Sequence, residues 1–294
     1  MSSRWDGSDE FTAVAEQASF STAAKRLGLS TSAVSREIAR LEDRLQTRLL
    51  NRTTRRVELT DAGRDFLARC RRLIDERDEA LAAVQPDDSA PRGLLRMTCS
   101  VSYGERFVAP AVNRFARDHA ELSIELDLDN RLRDLVGDGY DLAIRFGHLT
   151  DSRLIARRLA SRRLILCAAP AYLARRGAPR DLSELPAHDL LTGSSEHWRF
   201  TEAGREVSLR PTGRWRCNSG AAVLDAALQG LGLCQLPDFY VSEALATGAL
   251  IRVLPDHRPP DEGVWAVHPH PRHVPPKVRL MVDHLRDSLS ALAA

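Results

Sequence analysis

Apolar positions near the start of the chain repeat at the spacing of short helices. Within residues 20–27 they fall on one helical face, and Gly28 then ends the helix. Ser30 is placed to cap a second helix. The apolar stripe of that helix follows an i, i+4, i+7 spacing: Val34, Ile38 and Leu41. Two short helices joined by a glycine turn predict a helix-turn-helix, a unit that other proteins insert into DNA grooves.

The flanking segments extend this pattern into a winged helix. Residues 6–16, with Asp6 as N-cap, are expected to form a preceding helix. Residues 52–59 are expected to form the wing, because residues 56–59 alternate between polar and apolar as a short strand does. Thr60 is then placed to cap the next helix.

The helix after Thr60 has a spacing typical of a coiled coil. Its apolar or permissive positions are alternately four and three residues apart: Phe66, Cys70, Leu73, Arg77, Ala80 and Val84. This seam predicts that residues 61–85 pair two copies of the chain. The alternative is that the helix packs on its own domain, because Arg77 and the short length weaken the heptad pattern. Two prolines in residues 86–93 then predict a linker.

From residue 94 onward, strand and helix patterns alternate. The first stretch predicts strands at 94–99, 122–128 and 140–146, with helices at 105–119 and 131–139 between them. This β-α-β-α-β order predicts a mostly parallel sheet with right-handed crossovers. The second stretch predicts strands at 163–168, 214–217, 231–236, 250–254 and 264–267, and helices at 171–176, 221–229, 239–247 and 277–292.

Composition and charge indicate the size and location of the protein and show that its positive charge is concentrated near the N-terminus. With 294 residues, 43% of them hydrophobic, the chain can bury a full core and has the length of two or three domains. Because the first ten residues lack a signal peptide's apolar run and no stretch is apolar enough to span a membrane, we expect a cytoplasmic protein with no membrane partner. The formal net charge is +2, but residues 20–56 hold nine basic and three acidic residues, a local +6. A local basic patch predicts phosphate binding.

Other chemistry has weaker support in the sequence. The five cysteines are widely spaced and form no C-x-x-C motif: Cys70, Cys99, Cys167, Cys217 and Cys234. We expect small buried side chains in a reducing compartment, with a redox pair of Cys99 and Cys217 as the minor alternative. His268, His270 and His273 alternate with prolines, which favours a loop over a metal site. Because G-x-S-x-G, P-loop and G-x-G-x-x-G motifs are missing from the sequence, we expect no enzyme activity, metal or cofactor.

Five longer motifs follow one another along nearly the whole chain. They are F-x-x-V-A-E-x-x-S-F-S-x-A-A at residues 11–24, L-x-x-S-x-S-A-V-S-R-x-I-x-x-L-E at 27–42, R-T-T-R-R-V-x-L-T-x-A-G at 52–63, Y-D-L-A-I-R-F-G at 140–147 and G-L-G-L-x-x-L-P-D-F at 230–239. Together they resemble the LysR-type transcriptional regulators. The chain departs from the usual family pattern at residues 46–50, where Gly-x-x-Leu-Phe is common, and at Ser8, where an apolar residue is common.

The resemblance implies an α/β fold with a helix-rich N-terminal domain. It places a winged helix-turn-helix DNA-binding domain at residues 1–60, a dimerising linker helix at 61–85, a linker at 86–93 and an effector-binding domain at 94–294. That last domain is expected to have two lobes like a periplasmic binding protein, lobe I at 94–164 and 268–294 and lobe II at 165–267. The chain would cross between the lobes near residues 163–167 and 264–268. The implied partners are double-stranded DNA, a small-molecule effector, further copies of the chain in a homodimer or homotetramer, and RNA polymerase.

The start of the second helix and the wing supply the candidate DNA contacts. Small hydroxyl side chains and free backbone N–H groups at a helix N-terminus can approach phosphates and base edges, and wing arginines can reach a narrow minor groove. The candidates are Ser30, Thr31, Ser32, Ser35, Arg36, Arg40, Arg52, Thr53, Thr54, Arg55 and Arg56. The alternative for Arg36 is an exposed position paired with Glu37.

Turns that follow two predicted strands supply the candidate effector site. Ligands of open α/β sheets bind beyond strand carboxyl ends and opposite helix N-termini. Arg145 adds a charge for a carboxylate, and Gly147 leaves room beside it. We therefore expect an anionic effector between the lobes, bound by Ser100, Ser102, Tyr103, Arg145, Gly147, Asn218 and Ser219. The alternative for Arg145 is a structural ion pair with Asp141 or Asp127.

Two functions other than transcriptional regulation are compatible with parts of the sequence. A small-molecule binding or transport protein with the same two lobes would need a signal peptide and would lack the basic N-terminal domain. An enzyme with an appended DNA-binding domain would show turnover in residues 91–294. The basic helix-turn-helix favours a transcriptional regulator over both.

Overall fold

The computed structural model describes residues 5–52, 57–82, 90–147, 154–269 and 274–290. The chain divides into two compact units, Met1–Ala90 with Asp134–Gly139 and Pro91–Arg133 with Tyr140–Ala294. Among the helices in the described ranges, none has the length and apolar content needed to cross a bilayer.

Within the described ranges, the N-terminal unit has four helices and a small antiparallel pair of strands. The helices are α1 (Ser8–Gln17), α2 (Phe20–Leu27), α3 (Thr31–Leu45) and α4 (Asp61–Ala82), and the strands are β1 (Leu50–Arg52) and β2 (Val57–Leu59). Its core is formed by buried side chains from α1, α2 and α3, including Phe11, Val14, Ala23, Val34 and Ile38. The apolar stripe of the sequence therefore marks the inner faces of α2 and α3.

Local capping determines where these helices begin and end. The Ser19 hydroxyl caps α2 by accepting a hydrogen bond from the Thr22 N–H at 3.3 Å, and Gly28 ends the helix at a φ of 66°. α1 starts after Gly7, so the prediction of Asp6 as its N-cap is wrong. At the end of α3, Gln46 adopts the left-handed conformation with a φ of 50°. This is the position where the family commonly has glycine, which reaches that conformation without strain.

Helix α4 packs against α1 of its own unit. Leu67 and Cys70 are buried, and two arginines of α4 form ion pairs with α1: Arg71 with Glu16 at 3.1 Å and Arg77 with Asp9 at 2.8 Å. Positions 70 and 77 of the expected seam therefore face the chain's own domain, which is the alternative considered above. Leu73, by contrast, remains 40% exposed. Of the other seam positions, the Ala80 side chain and Val84 lie outside the described residues.

The first lobe of the C-terminal unit is built on a five-stranded sheet in the order β4-β3-β5-β12-β6. The strands are β3 (Gly93–Cys99), β4 (Leu122–Leu128), β5 (Leu142–Phe146), β6 (Leu154–Arg162) and β12 (Glu262–Pro269). β3 is parallel to β4 and β5, whereas β12 runs antiparallel to β5 and β6. The three strands of the predicted β-α-β-α-β stretch are parallel, as expected, and the returning strand β12 alone enters between β5 and β6 in the opposite direction.

Two helical segments cover this sheet. The first consists of α5 (Val101–Tyr103), a π turn (Gly104–Val108) and α6 (Ala109–Asp118), and the second is α10 (Pro276–Ser290). α10 buries Met281 and Leu285 in the core of this lobe, and the Lys277 ammonium donates to the Leu94 carbonyl oxygen at 2.7 Å. The helix expected at residues 131–139 is absent from the structure, which has turns there.

The second lobe has a smaller antiparallel sheet, a hairpin and three helices. Its strands are β7 (Leu164–Ala168), β8 (Trp198–Glu202), β9 (Arg205–Leu209), β10 (Cys234–Pro237) and β11 (Ile251–Arg252), and its helices are α7 (Pro170–Arg176), α8 (Gly220–Leu228) and α9 (Asp238–Ala246). The sheet order is β10-β7-β11, and β8 pairs with β9. The strand expected at residues 214–217 is reduced to an isolated bridge between Arg216 and Thr192.

The chain crosses between the lobes in two places. The first crossing is at Arg163, between β6 in the first sheet and β7 in the second. The second lies between β11 and β12, within residues 253–261. The expected return near residues 264–268 and the assignment of residues up to 267 to lobe II are wrong, because all of β12 belongs to the sheet of the first lobe.

A buried carboxylate fixes the turn between α3 and β1. Glu42 is 4% exposed, and its Oε1 accepts hydrogen bonds from the backbone N–H groups of Leu49 at 2.8 Å and Leu50 at 3.0 Å. The Arg48 guanidinium lies 3.4 Å from Oε2. These contacts satisfy two buried backbone donors where the chain enters the hairpin.

We expect Glu42→Leu to lower the free energy of local unfolding of the turn between α3 and β1 by about 3 kcal/mol, because both buried N–H groups lose their acceptor. Hydrogen exchange of peptides covering residues 45–52 measures this change as roughly hundredfold faster exchange. Glu37→Gln is the control, since the exposed pair of Glu37 with Arg40 should contribute at most about 1 kcal/mol. Equal exchange rates in the two variants would contradict the assignment.

Candidate functional site

The N-terminus of α3 presents the first candidate surface. Ser30 is the N-cap, and its hydroxyl accepts a hydrogen bond from the Ala33 N–H at 3.2 Å. Val34 and Ile38 are buried against the rest of the unit, so the opposite face of α3 is exposed. An exposed helix N-terminus offers N–H groups and a positive dipole end to an anion.

Most predicted DNA contacts on α3 lie on that exposed face. Ser30, Thr31, Ser32, Arg36 and Arg40 are exposed, and Ser35 is half-buried. Arg40 pairs with Glu37 at 2.8 Å. Arg36 makes no hydrogen bond or ion pair with any residue that the structure describes, so the alternative pairing of Arg36 with Glu37 is not observed.

The wing candidates fall largely outside the described part of the chain. The backbone of Arg52 pairs with Val57 across β1 and β2. The Arg52 side chain and the residues Thr53, Thr54, Arg55 and Arg56 lie outside the described residues.

The second candidate site is a cavity of about 230 Å³ between the two lobes of the C-terminal unit, here called the interlobe cleft. The first lobe contributes Ser100, Tyr103, Asn130, Phe146, Arg162 and Glu262. The second lobe contributes Leu164, Gly193, Ser194, Ser195, His197, Trp198, Arg199, Asn218, Gly220, Gln235, Leu236, Pro237, Phe239 and Tyr240. Polar and aromatic side chains thus surround one space.

The structure brings some of the predicted effector residues to this cleft and not others. Ser100, Tyr103 and Asn218 line it. Ser102 contacts the Tyr240 hydroxyl, and the Ser219 hydroxyl caps α8 by accepting from the Ala222 N–H at 3.4 Å. Neither belongs to the lining.

Arg145 and Gly147 also lie outside the lining. The Arg145 guanidinium donates to the Arg133 carbonyl oxygen. Its suggested ionic partner Asp141 lies 3.4 Å from the Lys277 ammonium, and Asp127 accepts from the Tyr140 hydroxyl. An alanine-sized Cβ at Gly147 would stand 3.6 Å from Glu262 Oε1, so Gly147 lies beside a charged group of the cleft.

Asn130 joins the two lobes at the cleft. Its Oδ1 accepts a hydrogen bond from the Val101 N–H at 3.1 Å, at the start of the first lobe's helix. Its Nδ2 donates to the Asn218 carbonyl oxygen at 2.8 Å, just before α8 of the second lobe. The Asn130 side chain therefore joins the two turns, one before α5 and one before α8, that were predicted to form the effector site. The sequence pattern did not indicate Asn130.

A charged cluster of Arg162, Arg199 and Glu262 lies in the cleft. Glu262 Oε2 accepts from Arg162 Nε at 2.7 Å, and its Oε1 contacts Arg199 Nη2. The Glu262 side chain is only 8% exposed. None of the three residues was predicted from the sequence. Each lies at the end of a strand or within one, and only the pairing and packing of those strands bring them together.

Arg162 is a cation whose side chain is only 19% exposed, and two of its nitrogens are left without an acceptor among the described residues. Its Cζ lies 3.9 Å from the centroid of the Phe146 ring, a cation–π contact. Burial lowers the pKa of Arg162 to about 10, so the guanidinium remains charged at neutral pH. Its Nε is taken by Glu262, whereas its Nη1 and Nη2 have no hydrogen-bond acceptor among the described residues.

Aromatic rings close one side of the cleft. Tyr103 stands 5.1 Å from Phe146 and 5.7 Å from Phe239, so rings of both lobes contact one another. Burial raises the pKa of Tyr103 to about 12, which keeps its hydroxyl protonated and able to donate. The Tyr240 ring packs so closely on Gly220 that an added Cβ would lie 2.3 Å from it. Glycine is required at that position by this close approach.

The minor alternatives of the sequence find no support in the described geometry. No group of three or more His, Cys, Asp or Glu side chains in the described ranges is arranged to hold a metal ion, and His270 and His273 lie outside those ranges. Cys99 and Cys217 are free thiols. Burial raises the pKa of Cys99 to about 12, so it is not a reactive thiolate.

Known proteins match this chain along nearly its whole length. The family model of the lysR-family bacterial regulatory helix-turn-helix protein matches residues 10–64, and that of the LysR substrate binding domain matches residues 88–290. The transcriptional regulator PgrR of Escherichia coli is 34% identical over 94% of this chain and 95% of its own length. The regulator PtxR of Pseudomonas aeruginosa is 37% identical over 95% and 91%, respectively.

Solved structures of full-length regulators share the architecture. The Vibrio cholerae virulence activator AphB has a TM-score of 0.59 at 31% identity, covering 95% of this chain and 97% of its own. CrgA from Neisseria meningitidis, a LysR-type transcriptional regulator, has a TM-score of 0.58 at 29% identity, covering 98% and 99%. PgrR and PtxR are transcriptional regulators, and AphB is a virulence activator. The chain therefore belongs to the LysR family, as a DNA-binding transcriptional regulator with a substrate-binding domain.

Proposed function

We propose that this regulator responds to a small anionic effector bound in the interlobe cleft. The observation that supports an anion is Arg162, a half-buried cation that lines the cleft and whose Nη groups lack an acceptor among the described residues. A carboxylate can accept two parallel hydrogen bonds from such a guanidinium. The neutral Tyr103 hydroxyl lines the same cavity and adds a further donor.

The size of the cleft favours a small metabolite. Its volume of about 230 Å³ is below the ~300–1,000 Å³ of sites for drug-sized ligands. Burial strengthens each charge-assisted contact, because little water competes for the guanidinium. Since the lining comes from both lobes, a bound effector would contact both and so bias their relative arrangement.

We expect Arg162→Gln to weaken binding of small carboxylates at least about tenfold, because a hydrogen bond to a charged group contributes about 1.5–3 kcal/mol. Isothermal titration of the full chain with benzoate, butyrate and succinate measures the change. Arg145→Ala is the matched control, since Arg145 donates to a backbone carbonyl and does not line the cleft. A larger loss in Arg145→Ala than in Arg162→Gln would restore Arg145 as the anion ligand.

We further propose that α3 is the recognition helix and that Arg36 contacts a phosphate. Arg36 is exposed and unpaired among the described residues, next to the Ser30 cap and the hydroxyls of Thr31 and Ser32. This face offers both a charge and small donors to DNA. The wing residues 52–56 stay predicted contacts on sequence grounds alone.

We expect Arg36→Ala to weaken DNA binding and to reduce the slope of log affinity against log salt by about one unit, the effect of one lost phosphate contact. Fluorescence anisotropy over a salt series measures this, with duplexes selected by the wild-type protein from a randomised library. Arg210→Ala is the control, because it removes one exposed positive charge from the C-terminal unit. If both variants lose the same affinity and slope, Arg36 does not contact phosphate.

The third part of the proposal is a homodimer formed through α4. LysR regulators are oligomeric, and Leu73 is an exposed apolar side chain on α4. Two copies paired through this helix would present two α3 helices to partly symmetric DNA. Assembly into a homotetramer and contact with RNA polymerase remain predictions from the family resemblance.

We expect Leu73→Asp to raise the dimer dissociation constant at least about tenfold, because a charge would replace buried apolar area at the helix pair. Sedimentation equilibrium of the full chain in the absence of DNA measures it. Leu29→Asp is the control, since Leu29 is similarly exposed, at 43%, but lies outside α4. An unchanged constant in Leu73→Asp would place the dimer contact elsewhere.

A further inference from the structure

Glu262 occupies the interlobe cleft as an internal carboxylate. It lies between two guanidiniums, with Oε2 toward Arg162 Nε at 2.7 Å and Oε1 toward Arg199 Nη2. At 8% exposure its side chain is nearly inaccessible to water. The position between two arginines is one that a ligand carboxylate would otherwise fill.

We infer that Glu262 is a specificity-determining residue that restricts the effector to a single negative charge. The inference rests on the proposed function, namely that a small anion binds in this cleft. Glu262 leaves Arg162 with two Nη groups for a ligand, but it accepts a hydrogen bond from the Nε of Arg162 and forms an ionic contact with the Nη2 of Arg199. One ligand carboxylate therefore finds donors, whereas a second one would meet the Glu262 carboxylate.

The charges of the cluster support the same conclusion. Arg162 and Arg199 are positive and Glu262 is negative, so the cluster carries one net positive charge. A monoanion neutralises it. A dianion would leave one uncompensated negative charge in a partly buried site, which is costly.

Acidic groups around the cluster further reduce the positive charge that a second ligand carboxylate could meet. Glu206 Oε1 lies 3.6 Å from Arg199 Nη1, and Asp238 is among the acidic groups that act electrostatically on Arg162. The Arg199 backbone is in turn fixed by Gln235, whose amide accepts from the Arg199 N–H at 3.0 Å and donates to its carbonyl oxygen at 2.8 Å. Arg199 is thus held in place by Gln235 through its backbone and by Glu262 through its side chain.

The substitution Glu262→Gln tests this directly, since it removes the charge while keeping the side-chain shape. Two probe pairs of similar size differ by one charge: butyrate with succinate, and benzoate with phthalate. Isothermal titration of the full-length protein at constant ionic strength gives the affinity ratio within each pair. We expect the wild type to prefer the monoanions and Glu262→Gln to shift each ratio at least about tenfold toward the dianions.

Two further variants act as controls. Glu262→Gln combined with Arg199→Gln returns the cluster to one positive charge and should restore the preference for monoanions. Glu206→Gln removes a half-exposed carboxylate near the same arginine and should shift the ratios less than threefold, because solvent screens that charge. If Glu262→Gln alone does not fold, Arg199→Gln serves in its place. It leaves the cluster without net charge, so it should weaken the binding of both anions, and that of the dianion more.

The possible outcomes distinguish failure of the role of Glu262 from failure of the proposed anionic effector. Binding of butyrate or benzoate to the wild type, with unchanged ratios in Glu262→Gln, would overturn the role of Glu262 and leave the anion site standing. Failure of all four probes to bind the wild type and the variants would overturn the proposed anionic effector, and this inference with it. A wild-type preference for the dianions would also overturn the role of Glu262.

Discussion

The geometry of the interlobe cleft depends on the pairing of one buried carboxylate with two guanidiniums. Glu262 is the first residue of β12, immediately after the chain has returned from the second lobe. Arg162 is the last residue of β6, immediately before the chain leaves the first lobe. Because a buried charge must be paired, the two crossings are held close together. Arg199 of β8 brings the second lobe into the same cluster. The cleft is therefore fixed at the point where the chain passes between its lobes.

A buried carboxylate also needs partners in the N-terminal unit. Glu42 is a buried carboxylate that accepts two backbone hydrogen bonds where α3 gives way to β1. It fixes the end of α3, while the Ser30 cap fixes its start. Between those ends, the buried stripe determines which face of α3 is exposed. The proposed DNA-binding surface thus depends on a few polar contacts at the ends of α3 and on the apolar core beneath it.

Local elements were predictable from sequence where short-range chemistry controls them. Ser30 and Thr60 cap helices as their positions suggested, and Gly28 ends α2. The predicted helix at residues 131–139 failed, because an apolar spacing over so few residues is also compatible with turns. At Cys70 and Arg77 the stripe expected to form a coiled-coil seam lies against α1 of the same chain. A helical stripe identifies the side that becomes buried, but α1 of the same chain can bury it as well as a partner can.

The sequence by itself determined the family, the order of the domains and the exposed face of the recognition helix, because these follow from motifs, caps and apolar spacing within short segments. It also placed Ser100, Tyr103 and Asn218 near the interlobe cleft, since the ends of strands and the starts of helices can be located locally. Only the tertiary structure decided which arginine faces that cleft. Arg145 and Arg162 both stand near the ends of strands, and only Arg162 lines the cavity. The difference arises from β12 entering between β5 and β6, a pairing between residues about one hundred positions apart that no local pattern encodes.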